Sequence, residues 1–382
     1  MIRLSFFIIL LFFSFGELVL HGKKIRIFTY FLYFIFALFL SLRYGQGTDY
    51  FSYLMSYEKI PYGYNNIIEY IKDERMEIGY VFFSAIVKSL GINFFGFVSI
   101  VSFIHVILLY RFVNYFTKYK ITALFLIYSI YSIPILESAF RQSIAISIVL
   151  GIVLVAKSKD KNLSALIGII IASLFHSSAL ISIFFLLFNF KNDKLYTFFI
   201  RKKNIFIIFI ILLSILNFMN IIPLYYLLPS FLFEKVNPYS NMDMNFLGII
   251  NRIVFLFFII LLAVKANTTL NLKQKNMLII YILGFTIYIV FLKFGMISRI
   301  SIYYKIIEIA LIPELITSYK RIKLKSVLPT TILLFFLITI IYVKESTTAL
   351  LQGNYYNNGF YEYPYITIFN KEEIYKCRIL DE

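Results

Sequence analysis

Residues 27–53 read IFTYFLYFIFALFLSL-RYGQGTDYFSY. The first part, Ile27–Leu42, is an unbroken apolar run that can cross much of a bilayer core of about 30 Å. The second part, Arg43–Tyr53, contains an arginine, a carboxylate and three tyrosines, together with two glycines. These polar groups stand where a membrane helix meets water. This composition suits an anionic, sugar-bearing substrate.

The overall composition predicts a membrane protein. Of the 382 residues, 60% are hydrophobic and only 15% are charged, and a soluble protein could not bury that much apolar surface. The single cysteine, Cys377, forms no disulfide within the chain. Residues 4–20 have neither a basic leader beyond Arg3 nor a small-residue cleavage site, so they are interpreted as a first span and not as a cleaved signal.

About twelve apolar runs predict an all-α polytopic membrane protein with a single transmembrane domain, residues 1–343. The runs are continuously apolar and do not alternate at period 2, which favours helices over a barrel. The stretch at residues 77–90 is apolar but short, and we predict a re-entrant or interfacial helix there. The predicted spans cover approximately residues 4–20, 27–42, 94–112, 121–136, 142–156, 162–175, 177–190, 204–222, 247–264, 277–294, 300–317 and 327–343.

The positions of the basic residues predict the orientation. More than half of the 37 lysines and arginines fall in six short, alternate loops, which the positive-inside rule assigns to the cytoplasm. Loop 43–93 and the tail, residues 344–382, are then extracytoplasmic. The same rule accounts for the net charge of +17, so we expect no nucleic-acid partner.

This topology gathers the other polar residues at the outer ends of helices. Arg43 and Asp49 open the first outer loop, and Arg141 with Gln142 occupies the turn between the fourth and fifth helices. We therefore predict one outer-facing catalytic basin. Its other predicted members are His176, Arg299, Arg252, Tyr50, Tyr53, Tyr303 and Tyr304.

Each of these residues also has a purely structural interpretation. Arginines near helix ends often extend to lipid phosphates, and Arg141 has Glu137 as a possible ion-pair partner. Asp49 can cap a helix, and His176 can cap or bridge a helix turn. His105 lies within a span, where we expect it to hydrogen-bond inside the bundle.

Four short motifs resemble EpsG-type proteins, which belong with the Wzy-like polymerases of capsule, exopolysaccharide and O-antigen pathways. They are R-x-x-x-G-T-D-Y-x-x-Y at residues 43–53, R-Q-x-x-A at 141–145, F-H-x-S-A-L at 175–180 and S-R-x-x-x-Y-Y at 298–304. Their order and approximate spacing extend the resemblance over residues 1–345. The tail beyond has no counterpart in this pattern.

The resemblance implies a bacterial cytoplasmic-membrane enzyme that joins lipid-linked oligosaccharide repeat units at the outer face. A glycan on polyprenyl diphosphate is the donor, and a terminal sugar hydroxyl of another unit is the acceptor. Arginine forks suit the diphosphate, so Arg141 and Arg299 are the expected clamps, with Arg43 as a third. Either His176 or Asp49 is expected to act as the base. Sugar rings stack on aromatic faces, which suggests Tyr50 and Tyr53 as contacts.

We predict no metal and no other cofactor, because no His/Asp/Glu cluster has ligand spacing. Asp73, Glu74 and Glu77 are interpreted as a solvated acidic surface, with a divalent-ion site as the alternative. A ligase that transfers a finished glycan and a flippase for the same lipid-linked sugar remain alternatives, as does a membrane O-acyltransferase. The expected partners are the lipid-linked oligosaccharide, the bilayer, and a chain-length regulator and flippase of the same pathway.

Overall fold

The computed structural model describes residues 2–19, 26–61, 64–74, 76–218, 246–266, 269–290, 297–320, 327–352 and 364–377. Helices dominate these residues, which confirms the predicted all-α fold class. The helices are α1 (Ile2–Val19), α2 (Arg26–Ser41), α3 (Tyr50–Lys59), α4 (Tyr64–Glu74), α5 (Ile78–Ser89), α6 (Phe94–Phe116), α7 (Lys120–Glu137), α8 (Phe140–Ser158), α9 (Asn162–Phe175), α10 (Lys194–Arg201), α11 (Lys203–Phe218), α12 (Phe246–Ala266), α13 (Leu272–Val290), α14 (Ile297–Lys305), α15 (Glu308–Lys320), α16 (Val327–Gln352) and α17 (Ile374–Cys377). A 3₁₀ helix, Ser177–Leu187, follows α9.

Five helices in the described part of the chain are long and apolar enough to cross a membrane, namely α1, α6, α7, α8 and the part of α16 from Thr331 to Gln352. Six further apolar helical stretches are 10–17 residues long, and they include α2, α5 and α9. The chain is therefore an integral membrane protein by length and composition. The total of about twelve spans and the re-entrant or interfacial character of residues 77–90 stay predictions.

Helices α7 and α8 form the centre of the bundle. In these helices 78% and 89% of the residues are buried, against 33% in α1. The second part of α7, Ile127–Glu137, is wound as a π-helix and contains Pro134, which has no N–H to donate. The wider turn places Ser132 below Glu137, and the Ser132 hydroxyl donates to Glu137 Oε1 over 2.8 Å. The π-helical winding of α7 thus gives the Glu137 carboxylate a hydrogen-bond donor from its own helix.

A buried ion pair joins the start of α1 to the end of α7. Arg3 and Glu137 are 2% and 0% exposed, and Arg3 Nη1 lies 3.0 Å from Glu137 Oε1. The guanidinium also bonds the Gln46 side-chain oxygen and the Pro364 carbonyl. Arg3 therefore ties the N-terminal helix, the loop between α2 and α3 and the C-terminal segment to α7.

The C-terminal segment, residues 364–377, packs along the start of the loop between α2 and α3. The Tyr44 N–H donates to the Ile366 carbonyl over 2.9 Å, and the Ile368 N–H donates to the Leu42 carbonyl over 3.0 Å. The preceding helix α16 ends at Gln352, beyond the expected end of the transmembrane domain at residue 343. The polar stretch 354–359 lies outside the described residues.

We expect Arg3→Met to destabilise the protein by about 3–5 kcal/mol, because it leaves the Glu137 carboxylate buried without its charge partner. Thermal unfolding of the detergent-purified chain measures the effect. Arg111→Met is the matched control, since Arg111 is exposed and surface changes usually stay within about 0.5 kcal/mol. Equal unfolding temperatures for the two variants would show that the buried pair contributes nothing.

Candidate functional site

Close packing of α5 against α9 positions an acidic side chain next to a histidine. A Cβ on Gly79 would lie 2.8 Å from both the Cβ and the carbonyl oxygen of Leu174, so only glycine fits this contact. Glu77 immediately precedes α5, and His176 immediately follows α9. The two side chains meet because the two helices touch at this glycine.

Glu77 bridges two of the predicted catalytic residues. Its Oε1 lies 2.8 Å from His176 Nδ1, and its Oε2 forms an ion pair with Arg141 Nη1. Arg141 Nε also donates to the Tyr53 hydroxyl over 3.4 Å. The side chains of Glu77, His176 and Arg141 are 18%, 13% and 29% exposed, so each is partly shielded yet reachable. We call these four residues (Tyr53, Glu77, Arg141 and His176) the Glu77 cluster.

The electrostatics of the Glu77 cluster favour an ionised Glu77. Burial alone would raise the pKa of the Glu77 carboxyl, but the hydrogen bond with His176 and the charge of Arg141 outweigh burial and lower it. Burial raises the pKa of the Tyr53 hydroxyl; the charge of Arg141 opposes that rise, and the Asp49 carboxylate adds to it. Glu77 therefore acts as the anion that holds a cation and a histidine together.

The contact with Glu77 determines which ring nitrogen of His176 carries a proton. A carboxylate accepts a hydrogen bond, so His176 Nδ1 carries the proton, and a neutral ring then has its lone pair on Nε2. His176 occupies the cap position between α9 and the following 3₁₀ helix, where its backbone N–H donates to the Ala172 carbonyl. Its side chain makes no capping bond and contacts Glu77 instead. The ring is thus oriented for accepting a proton at Nε2.

A cavity of about 470 Å³ with mixed polar and apolar walls adjoins the cluster across the first turn of α8, and we call it the Asp49 cavity. Asp49, Gln142 and Arg299 line it, and Gln142 Nε2 donates to the Arg299 carbonyl over 2.6 Å. Lys305 and Glu308 supply further charged groups. Because Gln142 follows Arg141 directly, one helical turn contributes to both the cluster and the cavity.

Asp49 is exposed at the rim of this cavity. It occupies the residue before α3, but its side chain makes no capping bond, and the Thr48 hydroxyl donates to its Oδ1 over 3.0 Å. Gly47 precedes it at φ +97°, and a Cβ there would overlap the Glu137 carbonyl oxygen. Asp49 therefore lines the cavity, and its carboxylate makes no capping bond to α3.

The structure buries all six of the described side chains that we expected to bind substrate. Tyr53 and Gln142 are 7% and 5% exposed and belong to the Glu77 cluster and the Asp49 cavity, and the other four lie deeper or bond the protein itself. Arg43 is 2% exposed, lies 4.9 Å from the centre of the Phe140 ring and donates to the Leu136 carbonyl over 3.3 Å. The Tyr304 hydroxyl donates to the Ile181 carbonyl over 2.6 Å. Tyr50 and Tyr303 are 0% exposed. The Tyr50 ring packs against Phe94, and the Tyr303 hydroxyl pairs with the Ser178 hydroxyl. In this structure the four side chains support the site from beneath and present no face to a ligand.

Other sequence-based interpretations have clear outcomes. The proposed Glu137–Arg141 ion pair is wrong, because each of these residues pairs with a different partner. His105 bonds the hydroxyls of Ser147 and Ser143 at 2.9 and 3.0 Å, which confirms its expected place inside the bundle. Arg252 belongs to α12, but its side chain lies outside the described part of the chain.

Sequence reasoning missed the contribution of Glu77, which we had interpreted as part of a solvated surface. Two signals in the sequence favour a different interpretation. Glu77 directly precedes an apolar helix, and a carboxylate that packs among apolar helices needs a cationic partner. Gly79 two residues later indicates a close helix contact. Arg3 was missed as well, because a single basic residue near an N-terminus is normally interpreted as a topology signal.

Comparison with known proteins adds one decisive finding. A model of the EpsG family matches residues 26–365. The chain belongs to the EpsG family. No protein of curated function and no solved structure matches the chain significantly. The matched range contains the Glu77 cluster and the residues that line the Asp49 cavity, and membership of the EpsG family indicates a polysaccharide polymerase-type function.

Proposed function

We propose that this EpsG-family protein polymerises lipid-linked oligosaccharide repeat units at the outer face of the bacterial cytoplasmic membrane. The observation that carries the proposal is the Glu77 bridge between His176 and Arg141. A base and an anion-binding cation held by one carboxylate are the two groups that glycosyl transfer from a diphosphate requires.

The reaction joins two units by one bond exchange. The acceptor hydroxyl oxygen attacks the anomeric carbon of the donor glycan, and the bond from that carbon to the diphosphate oxygen breaks. Polyprenyl diphosphate leaves with the electron pair of the broken bond. His176 Nε2 takes the hydroxyl proton, while Glu77 holds Nδ1 and stabilises the imidazolium that forms.

The departing diphosphate requires cations. Glu77 and Tyr53 bond Nη1 and Nε of the Arg141 guanidinium. The edge formed by Nη2 and the second hydrogen of Nη1 is left to bind two phosphate oxygens as a fork. Arg299 is exposed and lines the Asp49 cavity, which supports a second clamp there. Arg43 has a different proposed role: it holds the first outer loop from beneath through its bonds to main-chain carbonyls.

Asp49 is proposed to bind the acceptor. Its exposed carboxylate at the rim of the Asp49 cavity accepts hydrogen bonds from sugar hydroxyls, while the base is His176. Tyr53 links the Glu77 cluster with the Asp49 cavity, since the charges of both Asp49 and Arg141 act on its hydroxyl. The proposed roles use only side chains of this chain.

A complementation experiment tests the polymerase function itself. A deletion strain receives the wild-type chain, Asp49→Asn or Glu58→Gln, and immunoblots of the membrane fraction equalise the protein levels. Glu58 is the matched control, because it is an exposed carboxylate on α3, the helix that Asp49 directly precedes. We expect Asp49→Asn to shorten the surface polysaccharide and to lower the polymer yield at least about tenfold, since a lost hydrogen bond to a charged group costs about 1.5–3 kcal/mol. Glu58→Gln should match wild type.

The location of the unused repeat units separates the alternatives. A polymerase defect leaves single lipid-linked units on the outer leaflet, whereas a flippase defect traps them on the cytoplasmic leaflet. A ligase defect instead leaves long polymers on the lipid carrier. Units trapped inside, or long polymers on the carrier, would overturn the proposal.

A further inference from the structure

A second cavity, of about 950 Å³, lies at the opposite end of the bundle from the Glu77 cluster. Helix α7 begins with Lys120 at this cavity and ends with Glu137 near the cluster. A helix of that length spans about 27 Å. The positive-inside rule assigns the basic end to the cytoplasmic side of the membrane. This cavity is therefore separate from the proposed reaction site.

The walls of this cavity combine aromatic rings with cations. Phe12, Phe13 and Phe28 come from α1 and α2, and Phe12 is 71% exposed on the outer surface of the bundle. Arg26, Lys118 and Lys120 line the same cavity. The cavity thus opens toward the side where acyl chains lie in a bilayer, and its cations stand at the end of the spans, at the depth of lipid headgroups.

The two carboxylates of the cavity are already occupied by the protein. Glu17 accepts the N–H groups of Ile121 and Thr122 at 3.1 and 2.8 Å. Glu314 accepts from the Thr117 hydroxyl at 2.9 Å, from the Lys118 N–H at 3.0 Å and from the Gln274 amide at 2.8 Å. Both carboxylates therefore accept hydrogen bonds from backbone N–H groups at or near the start of α7 and, for Glu314, from neighbouring side chains.

The three cations have no such partners. Among the described residues, no carboxylate pairs with the side chain of Arg26, Lys118 or Lys120. The Lys118 and Lys120 ammonium groups lie 5.0 and 5.7 Å from the ring centres of Tyr119 and Tyr110. Such rings hold a cation in place without neutralising it. The charge that the cavity offers to a ligand is therefore positive.

We propose that this cavity binds one anionic phospholipid of the surrounding bilayer, of the phosphatidylglycerol class. The headgroup phosphate lies between Arg26, Lys118 and Lys120, and the acyl chains follow the Phe12–Phe13 wall into the membrane. Basic pockets between membrane helices bind anionic headgroups in this way, and apolar walls bind the attached chains. The lipid fills the space among α1, α2 and the start of α7.

Native mass spectrometry of the detergent-purified full chain tests the site. The probes are phosphatidylglycerol and phosphatidylcholine with identical acyl chains. We expect one retained phosphatidylglycerol with an affinity at least about tenfold above that of phosphatidylcholine. Lys118→Ala/Lys120→Ala should abolish this preference, whereas Lys118→Arg/Lys120→Arg should keep it. The matched control is Lys161→Ala/Lys202→Ala, since both of these lysines are exposed and neither lines the cavity.

A neutral variant tests the acyl-chain part of the site. Gly16 lines the cavity, and a Cβ built on it meets no atom within 4 Å. Gly16→Leu therefore fills the cavity without changing charge, and leucine favours a helix more than glycine does. We expect this variant to unfold at the wild-type temperature or above, and to retain less of either lipid.

Several outcomes would overturn the proposal. Equal retention of the two phospholipids, or loss of the preference in the Lys161/Lys202 control, would show that the cavity does not select the headgroup charge. Stronger binding of a polyprenyl phosphate at equal concentration would assign the cavity to the lipid carrier. Binding of inorganic phosphate with the affinity of phosphatidylglycerol would assign it to a free anion.

Discussion

His176→Ala is expected to lower the polymerisation rate by about 10²–10⁴-fold, the usual contribution of a positioned general base. The physical reason is that Glu77 fixes Nδ1 and leaves Nε2 as the lone pair that takes the acceptor proton. The measurement is chain extension of lipid-linked repeat units in membranes that contain equal amounts of each variant. The rate at saturating substrate should fall, while the substrate concentration for half-maximal rate changes little.

His176→Asn separates the chemical role from a structural one. The asparagine amide nitrogen stands near the position of Nδ1 and can still donate to Glu77, but asparagine has no basic atom at the position of Nε2. We expect this variant to be as inactive as His176→Ala and to unfold at the wild-type temperature. Full activity in His176→Asn would remove His176 from the chemistry and leave Asp49 as the base.

Glu77→Gln probes the group that orients the base. The glutamine carbonyl can still accept from His176 Nδ1, but the charge that stabilises an imidazolium is lost. We expect the rate to fall at least about tenfold. In the His176→Ala background, Glu77→Gln should cost less than it does alone, because only its effect through Arg141 remains. Residues that act as one unit show this lack of additivity. Additive losses would show that Glu77 acts independently of His176.

The helical fold and the grouping of polar turns could be predicted because lipid imposes simple rules. Continuous apolar runs must be helical, since a membrane leaves no water for unpaired backbone groups. Alternate basic loops then put the turns at Arg141 and His176 at the same end of the bundle. The structure brings Arg141 and His176 into contact with one carboxylate.

The partners within the site could not be predicted, because they depend on tertiary packing. Glu137 and Arg141 are one helical turn apart in sequence, yet a break between α7 and α8 turns the two side chains to different neighbours. Glu77 reaches His176 only because Gly79 allows α5 to touch α9. The spacing of Glu137 and Arg141 indicates neither partner, and Gly79 indicates a close helix contact without identifying α9 as the neighbour.

The motifs also could not predict which of their side chains would be buried. Arg43 and Asp49 belong to one short polar stretch, but the chain turns at Gly45 and Gly47, where φ is positive. Arg43 is buried as a result, whereas Asp49 is exposed. A motif therefore identifies the loop that forms the site, and the backbone turn decides which of its side chains faces a ligand.

Arg141→Lys is expected to lower the polymerisation rate by at least about 10²-fold, although it preserves the positive charge. A lysine ammonium can replace the ion pair with Glu77, but it is a point charge without the planar fork that binds two phosphate oxygens at once. Arg141→Ala should lower the rate further, by about 10³-fold or more, because it also removes the charge that stabilises the departing diphosphate. The same membrane assay measures both variants, with Arg111→Ala as the control at the other end of the bundle.

The Arg141→Lys variant distinguishes two roles of Arg141, namely anchoring Glu77 and binding the diphosphate. If Arg141 only anchors Glu77, Arg141→Lys should retain most of the activity and the unfolding temperature should follow the activity across the series. If Arg141 binds the diphosphate, Arg141→Lys should be folded, as stable as wild type and nearly inactive. We expect the second pattern, because Glu77 and Tyr53 engage only Nη1 and Nε, and no described residue bonds the remaining nitrogen, Nη2. Nη2 and the second hydrogen of Nη1, on a side chain that is 29% exposed, therefore form the edge that is available to two phosphate oxygens.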